Sequence, residues 1–480
     1  MTTTESREAA DEVGAARTEL SASVAGPVLG PADPDYAAEV ATFDVQLDYR
    51  PRLAVGATSE ADVAATLRIA SRHRLSVAVV GTTHSGVGPA DADILLTTRR
   101  LAGVSVDPVR ATATVGPGAT WGDVLAAATP LGLAPLCGSA PGVGVVGLLL
   151  GGGIGPIART MGYSADHVRS FRLVTVDGTV HQVDAQQRRD LFRALRGGKG
   201  GFGIVTSVTI ELPPAPVLYG GGLFFDAADA ERVLHGYCDW LAGGVPDELS
   251  TSIALIQFPP LPQVPEPLRG RYIVHLRIAH VGDPAGDGHT AAEAAVQPLR
   301  ALATPVLDTV AALPYAAIGS IHADPTDPMI IASGGLLLAS FDHAAADAVL
   351  AVAGPRATAP LSIVEIRHLG GALSHPPRTP DSVGGRDAAF GVWVVSAPLP
   401  APDPDTLTAF TSVVRGVLDT FGPWGTGGTQ INFFGPANTA VEFDATWPAD
   451  TADRLRALRL AVDPDGLLPF GPSRTARVTA

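Results

Sequence analysis

Cysteine is nearly absent from this chain. Two thiols in 480 residues, Cys137 and Cys238, cannot build a disulfide framework. No Cys-x-x-Cys pair is present to hold zinc, so no metal is expected. Charge is sparse too, at 17% of residues, and it leans acidic, with a formal net charge of −15. No run of Lys or Arg offsets that balance, which argues against nucleic acid as a partner. Long apolar runs are also missing. The most apolar stretch, "GVGVVGLLLGGGIG", is too short and too broken by glycine to cross a membrane. The start, "MTTTESREAADEVGAARTEL", lacks the basic head and apolar stretch of a secretion signal. A cytoplasmic protein, monomer or homodimer, is the expectation.

What the chain has is glycine, 54 residues of it, and a hydrophobic fraction of 46% that can fill two or more cores. Residues 1–44 read as a loose polar leader with a first helix. A compact pattern then begins. "TSEADVAATLRIASRH" is a helix with a Ser59-x-x-Asp62 cap and an apolar face of Val63, Leu67 and Ala70. "LSVAVVG" is a buried strand, and "DILLTT" a second one beyond a loop. "VSVDPVRATATVG" and "FRLVTVDGTVHQV" are hairpins turning at Asp107-Pro108 and Asp177-Gly178. "TWGDVLAAATPLGL" is a helix capped by Thr120 and stopped by Pro130. The run "LPPAPVLYGGG" reads as a break. After it come alternating strands, "GRYIVHLRIAH", "LSIVEIRHLGG" and "AAFGVWVVSAP", separated by alanine-rich helical stretches. That pattern predicts an antiparallel sheet covered by helices. "WPADTADRLRALRLAVDPDGLL" closes the chain as a helix ending at Asp463-Pro464.

Three glycine-rich loops carry the chemistry. "VVGTTHSGVG" sets one histidine, His84, between glycines at the mouth of two strands; a solvated loop histidine accounts for the same letters. "LLLGGGIGPIARTMGYSADHV" matches a dinucleotide fingerprint at Gly153-x-Gly155-x-x-Ala158, with Asp177 about twenty residues on. The glycines before it weaken a central strand, and Pro156 and Gly162 interrupt the helix that should follow. A structural glycine turn, a nicotinamide-binding Rossmann unit and an amide-lined loop for a pyrophosphate all remain open there. "RGGKGGFGIV" is a second amide-rich loop or a plain flexible turn. It is not a P-loop, because Lys199 is followed by Gly.

Together, "VVGTTHSG", "GSAPGVGVVGLLLGGGIGPIARTMGYSADHV", "LRGGKGGFGIVT" and "VDPDGLLPF", in this order, resemble the berberine-bridge-enzyme-like FAD-linked oxidases, whose FAD domain is of the vanillyl-alcohol-oxidase or PCMH type. The resemblance implies an α+β fold with a two-part FAD-binding domain, residues 45–215 and 429–480, and an inserted substrate domain, 216–428, built on an antiparallel sheet covered by helices. It implies FAD joined covalently to His84 through the flavin 8α position. It further implies cofactor contacts from Val80, Gly81, Thr82, Thr83 and Ser85, then Ser139, Gly142, Gly144, Gly147, Gly152, Gly153 and Gly155, then His167, Gly203, Val205 and Asn432. Thr82-Thr83 stand where glycine is more usual, leaving room for a different backbone path.

Two further departures matter. Ala140 occupies the place of a second, cysteinyl tether, and Cys137 lies three residues earlier, about 10 Å of contour away. A single covalent bond is therefore expected, with Cys137 a buried small hydrophobe. Gln430 stands where many members carry a catalytic tyrosine, while Asn432 is kept. The base must come from elsewhere. On "SIVEIRHLGG", Glu365 and Arg367 share one strand face, with Ser362 and His368 out of phase. On "RYIVHLRIAH", Arg271, His275 and Arg277 share a face. Such faces are either solvated or form a polar wall over the flavin. His275, Glu365 and His368 are the candidate bases, and Arg367, Trp424 and Gln430 candidate substrate contacts. The expected activity is hydride transfer from a bulky small molecule, such as an intermediate of secondary metabolism, to FAD, with O2 as acceptor. A flavin-containing cyclase or non-redox binding protein, and a nicotinamide-dependent Rossmann dehydrogenase, are the competing readings.

Overall fold

A computed structural model describes residues 3–45, 47, 49–84, 92–282, 288–397 and 404–470. The described strands form three sheets. The first contains β1 (Val28–Leu29), β2 (Leu53–Gly56), β3 (Val77–Val80) and β4 (Ile94–Thr97), in the order β1-β2-β4-β3. β2, β4 and β3 run parallel, and β2 and β4 are buried at every residue. Unbroken apolar strands such as Leu53-Ala54-Val55 suit a parallel sheet covered on both faces. The helix Glu60–His73 makes the crossover, and Ser59 accepts a hydrogen bond from the Asp62 amide at its start.

The second sheet, β5 (Val104–Asp107), β6 (Thr112–Val115), β7 (Val168–Val174), β8 (Val180–Asp184) and β9 (Ile204–Glu211), is antiparallel in the order β5-β6-β9-β7-β8. Both expected hairpins are in it. Asp177 caps the second by accepting from Thr179, and Gly178 takes φ +77°, a conformation open to glycine at little cost.

The third sheet is the largest: β10 (Val217–Asp226), β11 (Leu249–Gln257), β12 (Tyr272–Gly282), β13 (Leu307–Asp308), β14 (Ala311–Leu313), β15 (Ala332–Leu338), β16 (Ile363–His368) and β17 (Phe390–Ser396). Its order is β13-β10-β12-β11-β16-β17-β15, with β14 also on β10. One face is apolar: Val274, Leu276, Ile278, Val364, Ile366, Val392 and Val394 pack beneath residues of the helices Ala230–Ala242, Gly288–Arg300, His343–Ala353 and Pro404–Thr420. The chain then returns to the first half. Ile431, Phe443, Trp447 and Leu455 join the core around the second sheet, while Leu467 and Leu468 join the core of the first.

Three local expectations are corrected. The leader contains the expected first helix, Thr3–Ser23, but it is packed and not loose, with Ala16 and Leu20 fully buried on the first sheet's core. Its few apolar residues, Val13, Ala16, Leu20 and Val24, fall on one helical stripe, a pattern its overall polarity hides. The break at 212–222 is largely strand. Gly220, Gly221 and Gly222 lie inside β10, and a Cβ on Gly222 would stand 2.2 Å from His275 Nε2. The glycines there make room for a neighbouring side chain and do not mark a linker. The stretch Val145–Leu150 is a short helix. Gly153-x-Gly155 therefore follows a helix, which removes the strand-turn-helix context that a Rossmann reading needs.

Among the described residues no helix is long and apolar enough to cross a membrane. Leu20→Ala is expected to lower stability by about 2–5 kcal/mol, as for other buried leucines. Urea unfolding read alongside proteolysis of the first helix checks this, since a merely tethered leader would leave the midpoint unchanged.

Candidate active site

A cleft of about 2190 Å3 lies between the ends of the first sheet, the glycine loops and the bare face of the third sheet. At one end stands His84, directly after β3. Its ring stacks on Phe43 with centroids 4.1 Å apart. Burial holds the imidazole below its ordinary pKa, against the opposing pull of Asp324. Before it, Thr82 Oγ1 accepts from the Gly144 amide at 3.1 Å, and Thr83 takes φ +53°.

The middle of the cleft is made by the glycine loops. Val80, Gly81, Thr82, Thr83, Ser139, Ala140, Gly144, Gly147, Gly203 and Val205 line it. Lys199, at φ +64°, sends its ammonium to the Gly147 carbonyl (2.9 Å) and to Asn432 Oδ1 (2.7 Å). Desolvation pushes its pKa down to about 8. Cys137 is a free thiol in the adjoining core, pushed up to about 12 by burial, whereas Ala140 meets the cleft.

The far end is a polar patch on the third sheet, and strand register explains it. Arg277 on β12 and Arg367 on β16 both lie opposite Ser252 of β11. His275 and Glu365 both lie opposite Ala254. The side chains on the middle strand are short, so long ones from its two neighbours meet above it. Arg277 Nη1 reaches Glu365 Oε1 at 3.0 Å, and Arg367 Nη2 reaches Glu365 Oε2 at 3.0 Å. His322, at the end of the turn Tyr315–Ile321, places Nε2 3.5 Å from the same carboxylate. Glu365 is held well below the usual carboxylate range despite complete burial, because the Arg367 and Arg277 guanidiniums outweigh desolvation. Desolvation and the nearby Arg277 keep His275 and His322 below their ordinary values, hence neutral. Trp393 and Phe433 form apolar walls beside the patch.

Of the sequence candidates, Glu365, Arg367, Gln430 and Asn432 meet at this end of the cleft. His275 lies behind it, stacked on Phe224 with ring centroids 4.0 Å apart. His368, out of phase on its strand, packs against Phe390 and Arg159 outside the cleft. Trp424 is packed into the helix-covered core on the opposite face of the sheet, so the structure does not bring it to the cleft. Gly142 sits in an exposed turn, and Gly152, Gly153, Gly155 and His167 lie behind the cleft wall. A Cβ on Gly155 would meet the Cys137 carbonyl at 2.1 Å, and His167 Nε2 bonds the Met161 carbonyl. These glycines serve close packing. Ser85 lies outside the described residues. Sequence reasoning missed His322 and Trp393. Trp393 lies directly opposite Glu365 in the register, a signal readable only once the strands are paired.

Comparison with known proteins agrees with this geometry. Residues 51–184 match the FAD binding domain family. The chain is 33% identical over 196 residues to (R)-6-hydroxynicotine oxidase of Paenarthrobacter nicotinovorans, covering 40% of this chain and 43% of that one. It is 32% identical over 243 residues to an FAD-dependent monooxygenase of Penicillium roqueforti, covering 49% and 47%. The matched stretches thus span less than half of either relative. In three dimensions it resembles 6-hydroxy-D-nicotine oxidase from Arthrobacter nicotinovorans, with TM-score 0.79 and 24% identity over 93% of this chain and 97% of the other. It likewise resembles xylooligosaccharide oxidase from Myceliophthora thermophila, with TM-score 0.80 and 20% identity over 96% and 98%. Residues 51–184 thus match an FAD binding domain, and the fold is shared with 6-hydroxy-D-nicotine oxidase and xylooligosaccharide oxidase.

Proposed function

We propose that the chain is an FAD-dependent oxidoreductase that removes hydride from a carbon bearing oxygen or nitrogen in a bulky small molecule, with O2 as the final acceptor. The cleft carries this reading: one imidazole at its near end, glycine backbone along its length and a polar sheet face at its far end. The residues present fit FAD. A Cβ on Gly147 would project into open cleft space, meeting no protein atom within 4 Å, so the missing side chain leaves backbone bare to a ligand. Amides around Gly144, Gly147 and Gly200–Gly203 are the groups that would hold its pyrophosphate. His84 is the residue that would carry the covalent bond, and with Ala140 in the second position that bond is the only one proposed. A cytoplasmic location and a substrate drawn from secondary metabolism belong to the same proposal and rest on the sequence reading.

Bound FAD supplies the hydride acceptor. The chain supplies position and proton handling. Trp393 and Phe433, tilted against each other with centroids 6.1 Å apart, give a ring one apolar wall. Glu365, an ionised acceptor at the cleft wall, takes the hydrogen bond of the substrate O–H or N–H. The neutral His322 beside it receives the proton, a role for which imidazole is suited near neutral pH. Gln430, lining the same end, orients substrate without titrating.

Intact-protein mass spectrometry tests the cofactor: one FAD of added mass on the wild type and none on His84→Ala, with an unmodified wild-type mass counting against the tether. The pH dependence tests the proton path. Since His322 is held below 6.5, it is already deprotonated at neutral pH. Anaerobic bleaching of the flavin by substrate should then proceed equally fast at about pH 7 and about pH 8, and slow only well into acid. A rise through that neutral interval would point to a different base.

A further inference from the structure

The polar patch at the far end of the cleft does not balance its charge. Arg277 and Arg367 bring two guanidiniums, and among the described residues Glu365 brings the only carboxylate either pairs with, while His275 and His322 beside them are neutral. All five side chains are at least nine-tenths buried. The other acid near this end in sequence, Asp324, acts on His84 instead. One positive charge is left over in a desolvated place, a costly arrangement unless something arrives to meet it.

Behind the cleft wall the same patch is short of hydrogen bonds. Ser252 Oγ, between the two arginines in the register, has no hydrogen-bond partner, and neither do His275 Nε2 and His322 Nδ1, although all three atoms are buried. Buried polar atoms are rarely left unpaired in folded proteins, and clusters of them ask for an explanation. Arg367 is the cation of the patch that opens onto the cleft, beside Glu365. It lies over the Phe433 ring, 5.3 Å from its centroid, with Trp393 close by.

We infer that the substrate is an aromatic carboxylate whose anionic oxygens seat against the Arg367 guanidinium, its ring lying along the wall that the touching Trp393 and Phe433 rings form together. The inference rests on the reading of the cleft as an oxidoreductase site and names the class of molecule it takes. A carboxylate supplies the missing charge, and it meets the Nη1 side of the guanidinium, which reaches only the Ile154 carbonyl at 3.4 Å while Nε and Nη2 face Glu365. The same charge count makes Glu365 a brake on affinity: it accepts from the substrate, yet repels its acid group.

Isothermal titration of the purified protein with benzoate and with benzamide tests this, because the two share a ring and differ in charge. Benzoate should bind about tenfold more tightly or better, the range of a charge-assisted hydrogen bond. Arg367→Gln should abolish that preference, and Glu365→Gln should tighten benzoate by removing the competing negative charge. Equal binding of the two probes by the wild type, absence of benzoate binding, or a preference that survives Arg367→Gln overturns the inference. So does displacement of benzoate by an equal concentration of chloride, which would make this a site for inorganic anions. The wild-type comparison needs no variant to fold. Calorimetry also requires no turnover, so a yellow protein indifferent to charge sinks this inference alone, whereas a protein without FAD sinks the functional reading first.

Discussion

The glycine loop at 196–201 cannot hold its own shape, and the rest of the cleft depends on what holds it. Trp447 Nε1 donates to the Gly197 carbonyl, Arg459 Nη2 to that of Gly198 and Arg459 Nε to that of Gly200. From the other side, the amides of Gly197 and Lys199 donate to the Leu150 carbonyl. Lys199 then closes the clamp through Asn432, which in turn donates to Leu148. The last fifty residues return to the first half for this reason. A loop bare enough to admit a ligand to its backbone has few side chains with which to brace itself, so distant parts of the chain brace it together with its own Arg196 and Lys199. Gly151 shows how tight the arrangement is, since a Cβ there would lie 2.0 Å from Asn432 Oδ1.

The third sheet solves a different problem, placing an ionised carboxylate where water is scarce. Its means is a middle strand with small side chains. Neighbouring strands stand about 4.8 Å apart, so Arg277 and Glu365, two strands removed, meet only because Ser252 and Ala254 leave the space above β11 free. Gly222 on the next strand does the same for His275. The resulting group is strongly coupled: removing any one charge would strand the others in a desolvated environment.

These two arrangements also mark the limit of what the sequence disclosed. Features set within a few residues were legible: the Ser59 and Thr120 caps, the Asp177-Gly178 hairpin, and the alternation that put Glu365 and Arg367 on one face with His368 on the other. Motif order was sufficient to point to the FAD domain and its histidine loop. Whatever depended on partners hundreds of residues apart was not legible. His322 sits in a featureless turn and gains meaning only beside Glu365. Trp424, a candidate substrate contact in the sequence, is turned by the fold to the helical side of the sheet. Glycines were misread in both directions, as a linker at 220–222 and as ligand contacts at 152–155, because a missing side chain looks the same in sequence whether a ligand, a backbone or a neighbouring residue needs the room.

Thr83 joins the two halves of the molecule in one residue. A β-branched side chain at φ +53° is strained, and such a conformation persists only where its surroundings over-determine it. Here the Phe43 amide donates to Thr83 Oγ1, that hydroxyl donates to the Thr82 carbonyl, and the Asp44 amide donates to the Thr83 carbonyl. The 43–45 segment making these bonds is itself paired with Met329, which leads into β15 of the third sheet. Phe43, pinned in this way, is the ring on which His84 stacks. The orientation of the imidazole is therefore set by the sheet that forms the opposite wall of the cleft, through a chain of backbone bonds. A glycine at position 83 would relieve the strain and loosen that connection, which gives threonine there a physical reason.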